Sequence, residues 1–344
     1  MDKKISVSDE INPSSSVPAS AFGWDFQVNA AIVLMLKNIK EAKAVKVEGP
    51  TDDIEIYLKN GNVIFSQAKS VFDRDNYKPV IKNLERSLDR LYNDSLQSNA
   101  GQLIYITNSP NPFNNQKTMY AFTSGFNPYH YSSLPRVCKN KIDEILEKRK
   151  LSIDINKLSV YVLQFSQDLN NRYKVIKEIT NELINSFNLG ITDIGNDVLE
   201  IWQNDFFHNA SAPKPDITIT KSEMLWPLAV ILCEFNRDDN IFRNLDSAII
   251  EEIEHKYKKI VNTKTEQFSF FIKVISSFDE HDINNADTKD RIKSFISKFW
   301  IDYADDFHFL ESEINIKEHI IKFTLSNILR KRFYIGKIKE KTGL

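Results

Sequence analysis

Between residues 24 and 42, Val28, Ile32, Met35 and Ile39 recur at helical spacing, and Ala31, Val33 and Leu34 fill neighbouring positions. A helix apolar round most of its circumference belongs inside a core. The period then shortens to two. Val45 and Val47 predict a strand over 45–48, Gly49-Pro50 breaks it, and Ile54, Ile56 and Leu58 alternate with Asp53, Glu55 and Tyr57 in a second. Asn60-Gly61 tolerates positive φ at both positions and predicts a hairpin turn into a third strand over 63–69.

Helical spacing returns over 79–96, where Ile81, Leu84, Leu88 and Leu91 share a face while Lys82, Glu85, Arg86 and Asp89 lie largely on others; Pro79 suits the first turn. The run Leu103-Ile104-Tyr105-Ile106 reads as a buried strand, so 63–106 has the form of a right-handed parallel crossover. The Asn-, Pro- and aromatic-rich stretch 108–134 reads as a surface loop, and 159–165 as a fifth strand. Beyond about 168 nearly every segment is helical in period, as in Ile176, Ile179, Leu183 and Phe187, or Ile292, Phe295, Ile296 and Phe299; 213–220 reads as an extended link or small strand.

The expected architecture is an α/β domain over 21–168 followed by an all-α domain over 169–344, with a mobile polar tail over 1–20 around Asn12-Pro13-Ser14-Ser15-Ser16. A length of 344 residues suits two domains, and 42% hydrophobic with 27% charged residues suits globular ones. The net charge of -2 provides no global field for nucleic acid, so any such surface must be local. Two cysteines, Cys138 and Cys233, exclude a disulfide framework or a cysteine zinc site and read as small buried hydrophobes of a reducing, cytoplasmic protein. The longest uninterrupted apolar run near the N-terminus, 30–36, falls short of a membrane span, and the expectation is a chain neither secreted nor membrane-inserted.

Candidate chemistry lies in the hairpin. Residues two apart share a face, so Asp53 and Glu55 project together from one strand and Gln67 and Lys69 from the next, opposite an apolar face of Ile54, Ile56, Ile64 and Ala68. A carboxylate, an amide oxygen and an ammonium brought together are what metal-dependent phosphodiester hydrolysis uses: oxygen ligands for Mg²⁺ or Mn²⁺, and a cation where the phosphate gains charge. On that reading Asp53, Gln67 and Glu48 hold the metal, Lys69 positions the water or stabilises charge, and Asp52 competes with Asp53 for the principal place. The same residues also describe the solvated face of an ordinary hairpin.

The ordered set Gly23-Trp24-Asp25-Phe26-Gln27, Glu48, Asp52-Asp53-Ile54, Gln67-Ala68-Lys69 and Ile106-Thr107-Asn108 resembles the PD-(D/E)XK, or restriction-endonuclease-like, nuclease superfamily over about 21–165. More narrowly it resembles the double-stranded DNA endonuclease domain of bacterial antiphage effectors, including those activated by cyclic oligonucleotides and those paired with a HerA-type ATPase. The resemblance implies catalytic Asp53, Gln67 and Lys69, with Gln27 in support. It also implies a double-stranded DNA substrate and activity gated by homo-oligomeric assembly or by a partner such as a HerA-like ATPase. Gln67 departs from the superfamily's commoner glutamate and removes one negative charge from the metal set.

Two basic clusters fit either DNA phosphates or ordinary helix ends: Arg136, Lys139 and Lys141, and the run Arg330-Lys331-Arg332 with Lys337, Lys339 and Lys341. His281 with Asp279, Glu280 and Asp282 reads as a solvated loop. The helical half carries no nucleotide-binding glycine loop and reads as a module for sensing, oligomerisation or docking. The rival from another class is a catalytically silent nuclease-like fold serving as a DNA-binding or scaffold subunit; a nuclease acting on RNA or single strands would share the same metal site.

Overall fold

The computed structural model describes residues 17–49, 51–123, 125–190, 194–212, 217–263, 267–281, 287–307 and 314–344. The expected tail therefore lies outside the described residues up to 16, and its last part is helical. The first compact unit comprises Met1–Leu183 and Asp193–Thr220, the second Ile184–Thr192 and Lys221–Leu344.

In the first unit, α1 (Val17–Lys37) leads into β1 (Ala42–Val47), β2 (Ile54–Leu58) and β3 (Val63–Lys69), then α2 (Val80–Ser95), β4 (Ala100–Thr107), β5 (Phe126–His130), α3 (Arg136–Arg149) and β6 (Leu158–Leu163). Helices α4 (Leu169–Arg172), α5 (Lys174–Ser186) and α6 (Ile194–Ala210) and the short β7 (Ile219–Thr220) follow. The seven strands are ordered β5-β6-β4-β3-β2-β1-β7; β3-β4 and β4-β6 are parallel and the other neighbours antiparallel. The expected hairpin and crossover are present, with Gly61 at φ 85° in the turn.

Alternation along the strands sends side chains to two helical layers. Val63, Phe65, Leu103, Tyr105, Val160 and Val162 pack with Leu84, Leu88 and Leu91 of α2 and Cys138 and Ile142 of α3. Ile54, Ile56, Ile64 and Ala68 are buried as expected, and β1, β2 and β3 all contact α1, whose residues Ala30 to Met35 are fully buried. Because α6 packs on α1 and on β1, helices beyond 168 complete this unit, and the expected boundary moves from 168 to the neighbourhood of 183–221. Helical period identified α5, and the general helical character beyond 168 covered α6, but neither showed the surface these helices cover.

One further expectation changes. The stretch 108–134 is a surface segment with packed anchors and more structure than a loop: it contains a 3₁₀ turn (Gln116–Phe122) and the edge strand β5, and Phe113, Phe122 and Leu134 are buried in the α2/α3 core. The segment Pro18–Lys37 is, by length and composition, apolar enough to cross a membrane, since scattered polar residues such as Asn29 do not break the average; 61% of its most apolar window is buried in the protein. Cys138 and Cys233 are free and buried.

The second unit contains α7 (Lys221–Leu232), α8 (Ser247–Thr263), α9 (Gln267–Glu280), α10 (Thr288–Phe299) and the long α11 (Ile314–Thr342). Its core gathers aromatic rings on Phe323, whose centroid lies 4.7 Å from Phe235, 4.9 Å from Phe242 and 5.0 Å from Tyr257. The buried Lys221 donates from Nζ to the Thr342 carbonyl at 2.8 Å, satisfying the acceptor end of α11 with a positive charge.

Candidate functional site

At the C-terminal end of β3, next to the loop that precedes β2, the sheet leaves a cleft of about 580 Å³. Glu48, Asp52, Asp53, Gln67 and Lys69 line it from the sheet, and Arg86, Asp89 and Arg90 from α2.

Asp53 is fixed by the end of a ladder. The β2-β3 pairing stops at Ile54↔Ser66, and the next free N–H on β3, that of Ala68, donates to Asp53 Oδ2 at 2.9 Å. Lys69 Nζ lies 2.6 Å from the same oxygen. The Glu48 backbone N–H donates to the Asp53 carbonyl at 2.8 Å, and Glu48 itself adopts φ 53°. This bend brings the Glu48 carboxyl into the cleft, where Gln27 of α1 hydrogen-bonds it. Burial and then the Asp53 charge raise the Glu48 pKa, while Gln27 and Lys69 oppose the rise. The expected convergence of Gln27, Glu48, Asp53 and Lys69 is therefore present.

Asp52 turns the other way. It is buried, its Oδ1 accepts from the Asp53 N–H at 3.0 Å and from Gln67 Nε2, and its carboxyl is hydrogen-bonded to that of Asp94 on α2. The Oδ2 atoms of Asp52 and Asp94 have no other partner, the pattern of two carboxyls sharing one proton. Burial, then the mutual charge of the pair, raises Asp52 well above the ordinary carboxylate range; burial also raises Asp94. With its nitrogen held by Asp52, Gln67 has only its oxygen to offer a cation.

Glu55 does not line the cleft. It accepts from Thr51 Oγ1 at 2.8 Å and Tyr57 OH at 2.5 Å, and buttresses the turn from beneath: a Cβ at Gly49 would lie 2.2 Å from Glu55 Oε1. Asn108 is likewise structural. Fully buried, it exchanges hydrogen bonds of 2.7 and 2.9 Å with the Val71 backbone and donates to the Phe165 carbonyl at 3.0 Å, tying the segments after β3 and β6 together.

The cleft lining does not include Arg136, Lys139 or Lys141. Lys139 donates to the Ser132 carbonyl, and Lys141 pairs with Glu144 at 2.9 Å. The cations facing the cleft are Lys69, Arg86 and Arg90. Arg149 of α3 engages Asp89 and Glu85, the acidic neighbours of both arginines on α2, which leaves Arg86 and Arg90 without an ion pair among the described residues. Spacing alone placed Arg86 on a polar helix face and did not single out Arg90; only the rotation of α2 on the sheet turns that face toward Asp53. Asp94 was missed for the same reason.

Two carboxylates close enough to repel, an amide oxygen and space for water fit a hard divalent cation that keeps much of its hydration. Among the described residues no group of three or more His, Cys, Asp or Glu side chains is gathered to hold a metal without such help. The acidic cluster at His281 is no alternative: the ring packs against Phe295 and Phe299, and Asp282 lies outside the described residues.

The shared proton has a thermodynamic consequence. A carboxyl raised in the folded state contributes stability that is complete below its unfolded pKa, near 3.8, and lost as pH rises through its folded value. In EDTA the melting temperature is expected to fall as pH rises from about 4 to about 9, most steeply below about 6 where both carboxyls contribute. Asp94→Asn, which gives Asp52 a permanent donor, should flatten that fall in thermal melts across the range; an unchanged slope would remove the pair as its cause. Set against family models, curated proteins and solved structures, the chain matches none.

Proposed function

We propose that the first unit is a metal-dependent endonuclease acting on double-stranded DNA, and that the chain serves as the effector of a prokaryotic antiphage defence system gated by assembly or by a partner such as a HerA-type ATPase. The observation that carries the reading is the meeting of Glu48, Asp53 and Lys69 in one cleft, with Asp53 locked by the Ala68 N–H. Substrate class, defence role and gating rest on the sequence resemblance.

When bound, Mg²⁺ or Mn²⁺ would supply a Lewis acid and lower the pKa of water. Asp53, Glu48 and the Gln67 oxygen are the residues to hold it. Lys69, freed from Asp53, is placed to steady the charge that grows on the scissile phosphate. Arg86 and Arg90 would hold flanking phosphates. Arg86→Glu/Arg90→Glu is expected to weaken binding of a short duplex by about tenfold or more at low salt and to reduce the salt slope by about two. Fluorescence anisotropy against salt concentration checks this; an unaltered slope would place the DNA elsewhere.

The 2.6 Å Lys69–Asp53 pair also suits the catalytically silent, DNA-binding alternative, because it neutralises Asp53 without a cation. Supercoiled plasmid separates the two readings. The chain, alone and with the products of neighbouring genes, is incubated with Mg²⁺, with Mn²⁺ and with EDTA, beside Lys69→Ala. Nicking or linearisation that needs metal and is lost in Lys69→Ala is the expected result. Intact plasmid under every condition, with DNA still bound, would replace the nuclease reading with the silent one.

A further inference from the structure

The second unit has a recess of its own, about 800 Å³ in volume, between the first turns of α10, the middle of α11 and a short 3₁₀ turn at Asn240–Phe242. Five cations line it: Lys289, Lys293, Lys322, Arg330 and Arg332. Against them stand two carboxylates, both already engaged. Asp239, almost wholly buried, pairs with Arg330 and accepts from the Ile241 N–H at 3.0 Å, while Asp287 caps α10 by accepting from the Lys289 N–H. In a chain whose net charge is -2, this is a local excess of positive charge.

Part of that excess is held in place by the fold. Arg332 donates from Nη1 to the Leu329 carbonyl at 2.7 Å and lies 5.4 Å from the Phe278 ring centroid, and Lys322 pairs with Glu318. Lys289 and Lys293 are exposed, four residues apart on one face of α10, and make no ion pair among the described residues. Like charges at that spacing repel, and an anion bound between them would relieve the repulsion. The recess also has an apolar wall: Ile292 and Ile296, both buried, follow the same face of α10, and Ile241 stands in the 3₁₀ turn. A volume in the range of ordinary ligand pockets, with cations and aliphatic carbon interleaved along its α10 wall, suits a small molecule that carries both anionic and apolar groups.

We propose that this recess binds a phosphate-bearing small molecule of the nucleoside di- or triphosphate class, with its phosphates toward Lys289, Lys293 and the Arg330 side and its base on Ile292 and Ile296. The site is independent of the cleft in the first unit and of the nuclease reading.

The test uses the full chain in EDTA, so that metal bound at the first cleft contributes nothing. Calorimetric titration with ATP, with tripolyphosphate and with adenosine is compared for the wild-type chain and for Lys289→Glu/Lys293→Glu, whose positions are exposed and whose fold is checked by its melting curve. ATP is expected to bind, tripolyphosphate more weakly and adenosine not measurably, and the double variant should lose at least about tenfold in ATP affinity. Absence of ATP binding at millimolar concentration, or ATP affinity unchanged in the double variant, would overturn the assignment. Tripolyphosphate binding as tightly as ATP would reject the nucleotide class, and a short duplex displacing ATP at lower concentration than unlabelled ATP does would reassign the cations to a polynucleotide backbone.

Discussion

Asp53→Asn is expected to lower metal-dependent plasmid cleavage by about 10²–10³-fold while leaving the melting temperature in EDTA near that of the wild-type chain. The asparagine keeps an oxygen for the Ala68 N–H, so the loop before β2 retains its anchor. What it removes is the negative charge facing Lys69 and the ligand a divalent cation would use. Asp52→Asn is the informative contrast. Asp52 accepts from Gln67 and shares its proton with Asp94, so its substitution should act through the placing of Gln67, with a smaller loss of rate at saturating Mg²⁺ and a larger rise in the Mg²⁺ concentration required. Equal losses for the two variants, with no change in metal dependence for either, would mean that Asp53 is not the principal ligand.

Phe323→Ala is expected to destabilise the second unit by about 3–5 kcal/mol, the usual cost of removing a fully buried aromatic side chain. Its ring contacts Phe235, Phe242 and Tyr257 from the buried face of α11 and is wholly buried. Urea titration with fluorescence from chains keeping only Trp226 and Trp300 would follow the second unit, since Trp24 and Trp202 belong to the first. A shift of less than about 1 kcal/mol would show that the cluster collapses around the gap.

Much of the first unit was legible because its signals are local. The apolar girth of α1, the Asn60-Gly61 turn and the paired alternation of β2 and β3 each follow from a few neighbouring residues. From them came the shared face of Asp53, Gln67 and Lys69. β5 was hidden because Pro128 and its polar neighbours do not alternate in hydropathy; the strand tolerates proline because it lies at the sheet's edge. β7 spans two residues and falls within 213–220, the stretch read as an extended link or small strand. Arg86, Arg90 and Asp94 gain their roles from how α2 lies on the sheet, which is a property of packing. The resemblance stressed Thr107-Asn108, and the structure gives Asn108 a mechanical task, clamping two segments through their backbones.

The outer edge of β1 completes its partners late. Val47 donates to Asn209 Oδ1 at 3.0 Å, 162 positions further along, and β7 pairs beside it. At roughly 5–20 residues per second, a ribosome would need about ten to thirty seconds to deliver that partner after β1 has emerged. During this interval a hydrophobic strand with open backbone donors and acceptors faces the cell. Synthesis rate and chaperone supply should therefore influence soluble yield, and slowing translation upstream of residue 209 should increase aggregation.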